Sequence, residues 1–228
     1  MEKIFVMGGG GFSMEPENPL LDSYALSLTE KTKPRVCFLA TASGDSLSLI
    51  ESFYKAFNNL DCIPTHLSLF KPPSRDLSSF VLAQDLIYVG GGNTKNLLSL
   101  WRDWKLDQIL KMANTHGTVL AGLSAGMICW FDQGVTDSFG GNELDLIDGL
   151  SFLPGSACPH FDGEAKRKPY YSQAVKKGLA KGGIALDDGA GALYIKGQIK
   201  ECVSSRLNAG AYLIAIDRET PLTIRYLG

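Results

Sequence analysis

Four short apolar runs, each leading into a small-residue loop that contains glycine, constrain this chain more than any other feature. KIFVM precedes GGGG at 3–11, RVCFLA precedes TASGD at 35–45, LIYVG precedes GGNT at 86–94, and TVLAGL precedes SAG at 118–126. Runs this apolar read as strands buried on both faces, and helical patterns between them mean parallel strands joined by crossovers. Pro19 ahead of LLDSYALSL marks one helix start. SLSLIESFYKAF carries apolar residues at three-to-four spacing, and NLLSLWRDW leads into LDQILKMA. The expected fold class is α/β: a three-layer, open, mostly parallel sheet with helices on both faces. After Asp148 the pattern changes. A helix is expected from Glu164 to about Leu179, followed by antiparallel C-terminal strands in GIALDDGAGALYIKGQIKECVSS and AYLIAIDRETPLTIRYL. No linker, repeat or low-complexity segment interrupts the 228 residues, so a single domain over 1–228 is expected.

Composition excludes several classes of function. The net charge is −2, 20% of residues are charged, and no basic block lies beside stacking aromatics, so nucleic acid is not an expected partner. No stretch is apolar enough to span a bilayer, and the first apolar run is too short for a signal peptide, so no membrane partner and a cytoplasmic location are expected. The cysteines Cys37, Cys62, Cys129, Cys158 and Cys202 are odd in number, far apart and without a CxxC pair. They read as buried free thiols rather than disulfides or a zinc site. Without HExxH or a Cys/His cluster, no metal and no organic cofactor is expected.

Because each parallel strand ends in a glycine-containing loop, these loops gather on one edge of the sheet, where open α/β folds place ligands. One of them is GLSAG at 122–126. A serine on a sharp strand-to-helix turn is presented above the sheet, and such a nucleophile elbow needs small neighbours, here Gly122, Ala125 and Gly126. The Ala125 N–H, at the start of the following helix, could stabilise an oxyanion there. The glycines of GGGNT at 90–94 are the obvious source of a second donor, ahead of the alternative that this loop, GGGGF at 8–12 or TASGD at 41–45 binds phosphate. None of the three is a GxGxxG or GxxxxGK[ST] fingerprint.

A nucleophilic Ser124 needs a base, and only His66, His116 and His160 exist. His116 reads as part of the turn at the far end of the serine's strand, and His66 as a structural strand residue. His160, in CPHFDGE, is the candidate, with Pro159 stiffening its approach. The base in turn needs a carboxylate. Among the acids between Ser124 and His160, Asp137 in GVTDSFGG is the first choice because its segment looks like a turn folding back to the loop edge. Glu143 is the alternative acid, and Asp132 reads as a cap or a solvent-facing charge.

VGGGNT at 89–94, GLSAG at 122–126 and CPHFDGE at 158–164, in that order, resemble the peptidase E and cyanophycinase group of serine peptidases. The resemblance covers most of the chain and implies a fold like that of class I glutamine amidotransferases, with serine where those enzymes carry cysteine. It implies Ser124 as nucleophile, His160 as base, and Gly92 with Ala125 as the oxyanion hole. Asp137, 23 residues before His160, fits the family's placement of its acid better than Glu143. Peptidase E is similar to an exopeptidase removing N-terminal aspartate. That preference requires a cation, for which Arg167 is a tempting substrate-binding clamp, although a solvated charge opening a helix is the plainer reading of that residue. MICWF after the elbow departs from the family's small or polar residues, and Trp130 and Phe131 are expected to pack the helix into the core, with a narrowing of the pocket as the alternative.

The implied activity is hydrolysis of short peptides through an acyl-enzyme. The expected partners are a short peptide substrate and, at most, a second copy of the chain in a homodimer. An esterase of the α/β type shares the Ser, acid, His order but usually places its histidine later. A glutamine amidotransferase is disfavoured by the serine. A catalytically idle small-molecule or peptide-binding module would retain the fold without using the triad.

Overall fold

The computed structural model describes residues 1–141 and 143–228. Its elements are β1 (Lys3–Met7), α1 (Gly11–Met14), α2 (Leu20–Ser27), β2 (Arg35–Leu39), α3 (Leu47–Phe57), β3 (Ile63–Leu67), α4 (Leu77–Leu82), β4 (Leu86–Val89), α5 (Thr94–Asp103), α6 (Leu106–Thr115), β5 (Val119–Leu123), α7 (Ala125–Ile128), β6 (Phe131–Thr136), β7 (Asp145–Asp148), β8 (Leu153–Cys158), α8 (Arg167–Lys176), β9 (Gly183–Leu186), β10 (Ala190–Ile195), β11 (Gln198–Ser204), β12 (Ala211–Ala215), β13 (Arg218–Pro221) and β14 (Ile224–Tyr226).

The four apolar runs form the middle of an eight-stranded sheet of order β14-β11-β10-β1-β5-β4-β2-β3. From β1 to β3 all neighbours are parallel, while β10 runs antiparallel to β1 and β11 antiparallel to β10. Side-chain alternation sorts each strand onto two faces. Phe5, Met7, Phe38 and Tyr88 pack beneath α1, α2 and α3 with Phe12, Leu21, Phe53 and Phe57. Ile4, Val6, Leu39 and Val89 pack on the other face with Leu97, Trp101, Leu106 and Leu110 of α5 and α6. The first face holds an aromatic cluster in which Phe38 stacks on Phe53 at 4.9 Å while Phe12 meets both edge-on. Between α5 and α6 the chain restarts at Lys105, whose φ of 56° ends one helix and opens the next.

A second, six-stranded sheet of order β13-β12-β9-β8-β6-β7 is the main departure from the expected single sheet. Its strands β6 (FDQGVT) and β8 (LPGSAC) carry glycine, proline and polar residues in place of apolar runs, which hides them from pattern reading. Helix α8 covers this sheet, with Tyr171, Ala174 and Val175 packed against Val135, Cys158, Ala185 and Ile214. Helix α7 is only four residues long, and the chain passes straight into β6, so Trp130 and Phe131 are buried, as expected, but outside the helix. All five cysteines are free and buried. Among the described residues, no helix is long and apolar enough to cross a membrane.

Candidate active site

Ser124 sits between β5 and α7 with φ 54° and ψ −116°, a backbone conformation that a residue with a side chain rarely adopts and that nucleophile elbows hold under strain. Two glycines enforce it. A methyl group on Gly122 would overlap the Gly126 backbone, 2.5 Å from its carbonyl carbon, and one on Gly126 would overlap Val89, 2.9 Å from its carbonyl carbon. The Ser124 carbonyl accepts from the N–H groups of Met127 and Ile128, closing the turn.

Three consecutive residues beyond and at the end of β1 assemble the rest. Met7 O accepts the Ser124 N–H at 3.2 Å, Gly8 O accepts the His160 N–H at 3.2 Å, and Gly9 O accepts the Gly189 N–H at 3.0 Å, with Gly9 bridged to Asp188. The loop after β5, the loop after β8 and the turn after β9 are thereby tied side by side to one segment. His160, itself at φ 52°, makes a 2.6 Å hydrogen bond through Nδ1 to Asp188 Oδ1, and both side chains are nearly buried. A methyl group on Gly9 would lie 2.9 Å from His160 Cε1 and fall directly on Asp188 Oδ1, so only glycine leaves room for this pair. The His160 hydrogen bond, assisted by Arg206 and Arg167 nearby, holds the Asp188 carboxyl below its ordinary value against the opposing effect of burial. Asp188 N–H is anchored on Asp162 Oδ1 at 2.8 Å. No hydrogen bond joins the Ser124 hydroxyl to His160 among the described residues; in many enzymes that bond closes only in the substrate complex.

The GGGNT loop borders the serine. A methyl on Gly91 would stand 3.2 Å from Ser124 Cβ, and one on Gly92, at φ 132°, would lie 2.6 Å from the Ala42 carbonyl carbon. The Gly90 and Asn93 amides are taken by Leu39 O and Ala42 O, whereas those of Gly91, Gly92 and Ala125 meet no protein acceptor among the described residues. Asn93 caps α5 through Asn96 N–H and donates to Ser138 O, and Ser138 Oγ accepts the Thr94 N–H at 2.7 Å. The loop is therefore braced from the β6–β7 connection.

That bracing also decides where Asp137 lies. Thr136 and Ser138 turn their hydroxyls inward to each other, and both meet Thr94, which leaves the intervening Asp137 on the outside. Asp137 is exposed and lines a shallow cavity with Leu144, Glu164, Ala165 and Lys166. Glu143 is also exposed. The carboxylate on His160 is Asp188, which the sequence reading missed. Its signal was an acid pair, DDG, closing the apolar run GIAL. Arg167 is buried rather than solvated. It is 3% exposed, donates through Nε to Glu164 Oε2 at 2.7 Å and through Nη1 to Val135 O at 2.9 Å, and so is neither a solvated charge nor a free clamp. His66 bonds Tyr54 and His116 ends α6, both away from the site. Among the described residues, no group of three or more His, Cys, Asp and Glu side chains is arranged to hold a metal ion.

An elbow serine beside a histidine–aspartate pair on such a sheet defines the class of serine-type hydrolases. The model of peptidase family S51 matches residues 4–202, and the chain belongs to that family; it is a serine-type peptidase. It is 54% identical to the uncharacterized peptidase YgaJ of Bacillus subtilis (strain 168) over the full length of both chains. It is 25% identical to the uncharacterized peptidase Lmo0363 of Listeria monocytogenes, covering 83% of this chain and 93% of that one. Among solved structures, a peptidase from an acI-B1 actinobacterium shares the fold with a TM-score of 0.71 at 19% identity, over 98% of this chain and 95% of that one. A protein assigned to peptidase E from Listeria monocytogenes EGD-e follows at 0.62 and 18%, over 91% and 100%.

Proposed function

We propose that Ser124, His160 and Asp188 are the catalytic triad of an exopeptidase that hydrolyses short peptides through an acyl-enzyme. The observation that carries this reading is the alignment of all three residues along Met7, Gly8 and Gly9. His160 takes the Ser124 proton as Oγ bonds to the scissile carbonyl carbon. Asp188 accepts the Nδ1 proton in a hydrogen bond and stabilises the imidazolium. The Gly92 and Ala125 amides, free of protein acceptors among the described residues, hold the negative oxygen of the tetrahedral intermediate. Collapse breaks the C–N bond as His160 returns the proton to the leaving amine. Water, deprotonated by His160, then attacks the ester, and Ser124 leaves with the proton.

The resemblance of VGGGNT, GLSAG and CPHFDGE to the motifs of peptidase E makes N-terminal aspartyl peptides the first substrates to try. The test compares the native protein with Ser124→Ala on a panel of short peptides, several beginning with aspartate, and on simple esters. Cleavage of peptides by the native protein and its loss in Ser124→Ala, on the order of 10⁴-fold or more, is the expected result. Ester cleavage without peptide cleavage would turn the reading to an esterase, and undiminished peptide cleavage by Ser124→Ala would remove the serine from the chemistry.

A further inference from the structure

Behind the histidine–aspartate pair lies an ion pair that the reaction above does not use. Arg206 Nε donates to Glu15 Oε1 at 2.7 Å, and Ser205 Oγ donates to Glu15 Oε2 at 2.7 Å. Glu15 follows α1 on the segment that begins with Gly9, while Ser205 and Arg206 follow β11. The Arg206 stem crosses Gly189 so closely that a methyl there would lie 2.7 Å from its Cγ and 2.8 Å from its Cδ. Ser205 N–H donates to Gly189 O at 2.8 Å, and Asn18 Nδ2 donates to Ser205 O at 3.1 Å. The pair thus fastens the 9–18 segment to the Asp188–Gly189 turn, the two stretches that enclose the His160–Asp188 hydrogen bond.

We propose that Arg206 and Glu15 are positioning residues, an ion pair that fixes the Asp188 carboxylate against His160 and sets the electrostatic balance in which that pair exchanges its proton. The proposal rests on the Ser124–His160–Asp188 reading of the site. As a prop for the fold, the pair is a weak candidate, since Arg206 is 40% exposed and pairs of that kind add little stability. Its place next to Asp188 gives it leverage instead. Glu15 offsets the Arg206 charge, so removing either partner leaves the other's charge acting alone on the site. The other charged groups around Asp188 are Asp162, which accepts its N–H, Arg167, itself paired with Glu164, and Asp187 from its own turn with Lys168 beyond it.

With only His66, His116 and His160 in the chain, the imidazole resonances can be followed by NMR without any substrate, His160→Gln supplying the assignment. Arg206→Gln leaves Glu15 uncompensated and moves the titration of the His160–Asp188 pair to higher pH. Glu15→Gln leaves Arg206 uncompensated and moves it to lower pH. Arg206→Lys keeps the charge and stays close to the native curve. Each displacement is expected to be several tenths of a pH unit and to shrink at 1 M salt, where the screening length is about 3 Å, while His66 and His116 stay unmoved. The acid limb of kcat/KM follows the same signs. Displacements of one sign in both variants, or none, overturn the proposal, because a purely structural pair has no reason to act with opposite signs. If Arg206→Gln does not fold, Glu15→Gln against Arg206→Lys decides the matter: a downward displacement in the first alone supports the proposal, and equal titrations overturn it. The ring titration stands apart from the peptidase reading, which succeeds or fails on Ser124→Ala.

Discussion

The two halves of the active site are built by different means. The Ser124 half is held by backbone packed against backbone: Gly122 against Gly126, and Gly126 against Val89, all inside the core of the parallel sheet. The His160–Asp188 half is held by polar bonds between loops of the second sheet, with Asp162, Glu15 and Arg206 around it. Steric packing tolerates no substitution and tunes nothing, whereas charges can be altered one at a time without unmaking the fold. The glycine frame around Ser124 should therefore fail by misfolding, and the charged groups around His160 by losing chemistry.

The largest effect that tests this contrast belongs to Asp188. Asp188→Asn keeps the size of the side chain but turns the Nδ1 partner from a carboxylate into an amide, and the corresponding change in serine-protease triads costs about 10⁴ in kcat. A comparable loss with a near-native melting profile is expected, measured by peptide turnover and thermal unfolding. A loss below tenfold would mean that another group supports His160. On the opposite half, Gly126→Ala forces a methyl into the Val89 backbone and is expected to destabilise the protein by about 3 kcal/mol, near the upper end for overpacking a core. Chemical denaturation would measure it. A stable but inactive Gly126→Ala would erase the distinction between the halves.

The same division governs what could be read from the sequence. Ser124 with its two glycines, the GGGNT loop and His160 in CPHFDGE lie in local motifs, and the parallel strands feeding the first two are apolar runs of a kind that only a doubly covered sheet can bury. The DDG signal of Asp188 gave no pointer to His160, which it reaches from 28 residues further on, across strands of the second sheet. That sheet was itself half hidden: GIAL and AYLIA read as strands, but FDQGVT and LPGSAC have neither alternation nor an apolar run. Spacing along the chain favoured Asp137, but the inward turn of Thr136 and Ser138 onto Thr94 decides which way the residue between them faces. Arg167 misled for a related reason, as its charge in DGEAKRK gives no hint that Glu164 and Val135 O would bury it.

A third measurement concerns a carboxyl on the serine side of the core that works through burial. Asp22 is 1% exposed, accepts from Tyr88 Oη at 2.8 Å, and is pushed up to about 7, mainly by burial, with the Tyr88 and Phe12 hydrogen bonds opposing the rise. Between about pH 4, where this carboxyl ionises in the unfolded chain, and its folded value near 7, the folded state holds the extra proton. Its contribution to stability is therefore fully present below pH 4 and is lost as pH rises through 7, at up to about 1.4 kcal/mol per pH unit. Asp22→Asn, which stays neutral, is expected to flatten that part of the stability–pH curve obtained from urea unfolding. An unchanged slope would show that Asp22 is already ionised in the fold.

The smallest expected effect is at Asp137, and it bears directly on how the histidine half is built. The carboxylate is exposed and faces the cavity beside Glu164 and Lys166, while His160 Nδ1 is already occupied by Asp188 at 2.6 Å. Asp137→Asn should leave kcat within about threefold of native, the range of an exposed charge whose loss changes energies by roughly 0.5 kcal/mol, and Glu143→Gln should do the same. A kcat loss comparable to that of Asp188→Asn would require both acids to act on one imidazole. The histidine half would then depend on the β6–β7 connection that braces the GGGNT loop, and the two halves of the site would be a single mechanical unit.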